Sequence, residues 1–94
     1  MRLKNKVAIL TGCGSGIGEA VSHRFAMEGA KCILADINGE HAKKVALEIN
    51  NKGGIAHSIQ MDVRIPNDRS KTIDLSLKQF LKIDIFFLFI QISR

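Results

Sequence analysis

Short apolar runs alternate with amphipathic stretches along the chain, the pattern of repeated strand-helix units around a parallel sheet. The first run, Lys6 to Leu10, leads into a glycine-rich segment. Beyond it Ile17, Ala20, Val21 and Phe25 fall at helical spacing, so a helix opens near Gly16, with Gly29 just past its end. A second strand covers Lys31 to Ala35 and closes at Asp36. Asn38 or Gly39 then opens a helix with Ala42, Val45, Ala46 and Ile49 on one face, and Gly53-Gly54 ends it. Asn38-Gly39 also has the composition of a hairpin turn, but the helical period after it excludes that reading. Ile55 to Met61 alternates, which predicts an edge strand with Ile55, His57, Ile59 and Met61 on its drier face. Pro66, with Asn67 or Asp68 after it, starts a third helix lined by Ile73, Leu77, Phe80 and Leu81, and a fourth strand runs from Ile83 to about Leu88.

The order β-α-β-α-β-α-β predicts an α/β fold, a partial Rossmann fold in a single domain over residues 1–94. Right-handed crossovers place about four parallel strands in the order 3-2-1-4, with the first two of three helices on one face and the third on the other. The second face is then expected to be largely bare.

Composition narrows the partners. A formal charge of +5 invites a nucleic-acid reading, but Lys4, Lys6, Lys43, Lys44, Arg64, Arg69 and Lys71 fall in separate segments with no interleaved aromatic residues. No nucleic-acid site is expected. Cys13 and Cys32 show neither metal spacing nor a secreted framework, which points to a reducing, cytoplasmic setting. Cys13 lies near a helix N-terminus, where a thiol can become reactive; an ordinary loop position is the preferred reading. His23, His41 and His57 are too scattered to suggest a metal site, and none is expected. The apolar run Ile85-Phe86-Phe87-Leu88-Phe89-Ile90 falls well short of the ~20 residues of a membrane span. As an unpaired edge strand it would favour self-association.

The chemistry lies in Thr11-Gly12-Cys13-Gly14-Ser15-Gly16-Ile17-Gly18, between the first strand and its helix. Backbone amides at a helix N-terminus point outward unpaired and can bind a diphosphate, and glycine lets the phosphates approach. With Thr11, Gly12, Gly16, Ile17 and Gly18 in this spacing, the chain resembles the N-terminal part of the short-chain dehydrogenase/reductase family from about Lys4 to Ile85.

The resemblance implies a cofactor site made by Gly12, Ser15, Gly16, Ile17 and Gly18, together with Asp36, Ile37, Asp62 and Val63. Asp36 would accept hydrogen bonds from the adenosine ribose hydroxyls and repel a 2′-phosphate, favouring NAD over NADP. Asp62 would meet the adenine amino group. The implied partner is NAD(H), and the implied reaction is hydride transfer to or from a carbonyl or alcohol.

Two departures limit this. The family's glycine before the fourth strand is replaced by Leu81 or Lys82, and from Phe86 onward its Asn-Asn-Ala-Gly segment is replaced by an apolar tail, residues 86–94. The family's catalytic Tyr, Lys and Ser have no counterpart in these residues, which contain no tyrosine. The expectation is therefore an NAD-binding N-terminal fragment, truncated before the catalytic half, with no catalytic residue of its own. The alternatives are an enzyme completed by a separate chain, and a non-enzymatic truncated product or interaction module.

Overall fold

The computed structural model describes residues 2–12 and 16–87. In chain order the elements are β1 (Val7–Thr11), α1 (Gly16–Met27), β2 (Lys31–Asp36), α2 (Gly39–Asn51), β3 (Ile55–Gln60), α3 (Pro66–Phe80) and β4 (Ile85–Phe87). All neighbouring strands pair in parallel, in the order β3-β2-β1-β4. This is the predicted four-stranded Rossmann-type sheet with three helices.

One face carries a continuous core. Ala8, Leu10, Cys32, Leu34 and Ala56 point from the strands toward Ala42, Val45, Ala46 and Ile49 of α2, with Val21, Phe25 and Ala26 of α1 packed against them. The α2 face is the one read from the sequence. On α1, Val21 and Phe25 turn inward as expected, but Ile17 and Ala20 are exposed, and the fully buried positions are Gly18 and Ser22. The Ser22 hydroxyl donates to the Gly18 carbonyl at 2.8 Å, so its burial leaves no polar group unpaired.

Local chemistry sets the turns. Gly29 adopts φ +95°, its amide donates to the Ala26 carbonyl, and the Ala30 amide donates to the Phe25 carbonyl. These two bonds form the Schellman end of α1 that glycine at this position favours. Asn38 caps α2 by accepting from the His41 amide at 3.2 Å. Asn50 clamps the start of β3, donating to the Ala56 carbonyl and accepting from its amide, both at 2.9 Å.

The second face corrects three expectations. It is not largely bare, because Val7, Ile9, Thr11, Ile33, Ala35 and Met61 are buried, with α3 packed against β1 and β2. The buried positions of α3 are Thr72 and Ser76, whereas Leu77 and Leu81 are exposed and Ile73 and Phe80 only half-buried. Small residues let this helix approach closely, and their hydroxyls are satisfied: Thr72 donates to the Asp68 carbonyl and Ser76 to the Lys82 carbonyl. On β3 the driest strand residue is Ala56, which faces α2, while Ile55 and His57 are exposed. Helix α3 packs mainly against β1 and β2, so β3 is covered less on this face.

One predicted start holds and one moves. Helix α3 starts at Pro66 itself with Ile65 as an N-cap that offers no side-chain bond. The Asp68 carboxylate instead accepts from the Asp62 amide at 3.1 Å. The fourth strand begins at Ile85 rather than Ile83, because Asp84 pins the start of β1: its carboxylate accepts from the Val7 amide at 2.8 Å and its amide donates to the Val7 carbonyl. Lys82 completes that anchor at 2.9 Å, and its ammonium, with the Val7 amide, holds the Asp84 carboxyl below the usual range. Leu88 and the tail after it lie outside the described residues. Among the described residues β4 pairs only with β1, and Phe86 is exposed.

Candidate functional site

A parallel sheet gathers all its strand ends on one edge, and here the order of strands sets the order of side chains. The Gly12 amide donates to the Ala35 carbonyl at 3.0 Å, and the Met61 amide donates to the Asp36 carbonyl at 2.8 Å. These bonds lace the C-terminal ends of β1, β2 and β3 together. Gly12, Asp36 and Asp62 therefore stand on consecutive strand ends, spanning about 10 Å at two inter-strand spacings.

Gly12 has φ +69°, a left-handed conformation that glycine adopts without strain and that turns the chain away from β1 toward the head of α1. At Gly16, the first residue of α1, a Cβ would point into open space with no atom within 4 Å. A side chain at Gly16 would therefore meet no described atom, and Gly18, two residues further on, is buried. Ile17 lies exposed between them. Cys13, Gly14 and Ser15, including one predicted cofactor contact, lie outside the described residues.

Asp36 ends β2 half-buried, and its Oδ1 accepts from the Asn38 amide at 2.8 Å. That bond forms a local Asx turn, which fixes the carboxylate at the strand end and hands the chain to the α2 cap. Ile37 is exposed, with its carbonyl accepting from Gln60 Nε2 at 3.1 Å. Beside this turn an open depression of about 470 Å³ is lined by Ile37, Asn38, Gly39, Glu40 and Gln60. Gly39 belongs to it for a steric reason, since a Cβ there would stand 3.2 Å from the Cβ of Gln60.

Asp62 is held differently. Arg64 Nε donates to its Oδ1 at 2.9 Å and Arg64 Nη2 to its Oδ2 at 2.7 Å, while the Arg64 amide adds a third bond at 2.9 Å. The guanidinium and amide of Arg64 hold the Asp62 carboxyl well below the ordinary value, down to about 2. It is an anion throughout the neutral range. Val63 is half-buried, and its carbonyl accepts from the Arg69 guanidinium. The residue that sequence reasoning missed here is Arg64, whose only signal was a basic side chain two positions after the acid.

The described residues thus place Gly12, Gly16, Ile17, Gly18, Asp36, Ile37, Asp62 and Val63 along one edge of the sheet or at the head of α1. They can offer backbone amides to an anion and two carboxylates to hydroxyl or amino donors. Cys32 takes no part: its thiol is buried within the core, and desolvation pushes it up to about 12, far from reactive. No helix among the described residues is long and apolar enough to cross a membrane.

Known proteins resemble this chain in sequence and fold. The chain is 36% identical over 85 residues to the 7alpha-hydroxysteroid dehydrogenase of Escherichia coli (strain K12), covering 90% of this chain and 33% of that protein. It is 52% identical over 62 residues to a 2,5-dichloro-2,5-cyclohexadiene-1,4-diol dehydrogenase of Sphingobium indicum, covering 66% of this chain and 25% of that protein. Among solved structures, a 7 alpha-hydroxysteroid dehydrogenase complexed with NADH and 7-oxo glycochenodeoxycholic acid matches with a TM-score of 0.88 at 36% identity. That match covers 90% of this chain and 33% of the solved one. The chain spans about a third or less of the length of these relatives. The family model described as short chain dehydrogenase matches residues 6–88, from the start of β1 to just past β4, and the chain belongs to that family.

Proposed function

We propose that these residues bind NAD(H) and form the cofactor-binding portion of a short-chain dehydrogenase that transfers hydride between the nicotinamide and a carbonyl or alcohol. The observation that carries this reading is the alignment of Gly12, Asp36 and Asp62 on successive strand ends beside the N-terminus of α1. The diphosphate would lie at that helix terminus, where the partial positive charge of the helix favours an anion. Asp36 would accept from the ribose hydroxyls, and its charge would repel the extra phosphate of NADP. Asp62, kept ionised by Arg64, would accept from the adenine amino group. The solved relative in complex with NADH supports a nicotinamide cofactor of this kind. These 94 residues contain no tyrosine, so the acid-base chemistry of the family is assigned to residues outside them.

Calorimetry with NADH and NADPH tests the reading. NADH should bind and NADPH bind more weakly, and Asp36→Ala should weaken NADH by about ten-fold or more, the value of a hydrogen bond to a charged group. It should also narrow the gap between the two cofactors. No heat at millimolar NADH would overturn the proposal in favour of a non-enzymatic interaction module.

A further inference from the structure

Away from the strand ends, the layer formed by α1 and α2 carries a second group of charged side chains. Glu19 and His23 are four residues apart on α1 and so project from the same side of the helix. Glu48 reaches them from α2. One carboxylate oxygen of each glutamate and one ring nitrogen of His23 lie within 4.8 Å of one another, and all three residues are half-buried. His23 Nε2 stands 3.3 Å from Glu48 Oε1.

The charge here is unbalanced. Among the described residues no lysine or arginine pairs with Glu19 or Glu48, and the neighbouring Arg24 is engaged by Glu28 at 3.1 Å. Two carboxylates therefore share a partly desolvated site with a single imidazole. A cation bound between them would relieve that repulsion.

We propose that Glu19, His23 and Glu48 form a binding site for a divalent transition-metal ion of the zinc class, which ties α1 to α2. Imidazole nitrogen with carboxylate oxygen suits zinc, cobalt or nickel, whereas magnesium and calcium favour oxygen ligands alone. Three protein ligands leave a fourth position for water, the usual open zinc arrangement. Bonds of about 2.1 Å require the donor atoms to close to about 3.4 Å from each other, the edge of a tetrahedron of that size. The two glutamates have long, half-exposed side chains that can make that adjustment by rotation. The metal would join the helix that follows the glycine loop to the helix that begins beside Asp36, without entering the strand-end site.

Zinc titrated into the full 94-residue chain in a chelator-free buffer, followed by calorimetry and thermal melting, tests this independently of any nucleotide. One ion should bind and raise the melting temperature. His23→Ala and, separately, Glu48→Gln should each weaken binding by at least about ten-fold, since even outer-sphere partners of a metal are worth that much. His57→Ala, which is remote from the cluster, should leave it unchanged. Cobalt in place of zinc should give a spectrum without thiolate-to-metal charge transfer. Equal zinc affinity in the two cluster variants, a thiolate band, equal competition by magnesium, or no binding would each overturn the proposal.

Discussion

The two faces of the sheet are built by different rules. On the α1–α2 face, bulky aliphatic side chains interlock: Leu34 and Ile49 are fully buried between strand and helix, and Gly54 keeps clear of Ile49, whose Cγ2 would stand 2.7 Å from an added Cβ. On the α3 face the inward residues of the helix are Thr72 and Ser76, and the bulk comes from the sheet side, from Ile9, Ile33 and Met61. Apolar side chains of α3 spread to the margins, where the Phe80 ring packs tilted beside His57 at 5.5 Å between centroids and carries the Lys31 ammonium 5.9 Å from its ring centre. A helix can thus be seated by closeness of approach as well as by an apolar stripe, and only the second leaves a periodic mark in the sequence.

The sharpest way to break that contrast is to truncate one leucine on each side. Leu34→Ala opens a cavity in the filled face, and urea unfolding should show a loss of about 2–5 kcal/mol. Leu77 is 43% exposed on α3, and Leu77→Ala should cost less than about 1 kcal/mol. Comparable losses from the two would mean that the α3 face is packed through its apolar stripe after all.

The same contrast explains what could be read in advance. The strand order and the α2 face were legible because burial there is carried by Ala42, Val45, Ala46 and Ile49, residues whose hydrophobicity and spacing are visible in one dimension. The inward face of α3 was not, because Thr72 and Ser76 read as solvent-facing until their hydroxyls find backbone carbonyls within the fold. For the site, Gly12, Asp36 and Asp62 were legible as a motif and a rhythm of strand ends. Arg64 was not, because a salt bridge two residues apart depends on a turn whose shape is set by the Asp62-Asp68 contact. Glu19, His23 and Glu48 were half visible: the first two share a helical spacing, but only the α1–α2 packing brings in the third.

Leu81 marks a place where local and global demands conflict. It ends α3 in the left-handed region at φ +66°, with its amide donating to the Leu77 carbonyl, and it is 87% exposed. A leucine in that conformation is strained by about 1–2 kcal/mol and gains almost nothing from burial here. This is the stretch where the resemblance to the dehydrogenase family expects glycine. Leu81→Gly should stabilise the chain by about 0.5–1 kcal/mol, after the entropy that glycine loses on folding is deducted. Chemical denaturation reads the gain directly, and a loss would show that Leu81 holds the helix end through contacts that outweigh its backbone.

The smallest effect expected is electrostatic and belongs to the site edge. Arg64 lowers the Asp62 carboxyl from 3.8 to about 2, so the folded chain releases that proton more readily than the unfolded one. The sign follows from linkage: the stabilisation is fully present above pH 3.8 and disappears as pH falls toward 2. Asp62→Asn should therefore be less stable than the parent at neutral pH, with the difference closing across that acid window. The Arg64 side chain is 78% exposed, so added salt should shrink the difference further. A gap between parent and variant that persists unchanged at pH 2 and in high salt would assign the role of Asp62 to the turn it forms rather than to its charge. That outcome would move Asp62 out of the electrostatic description of the strand-end site, and the proposed choice between cofactors would then rest on Asp36 alone.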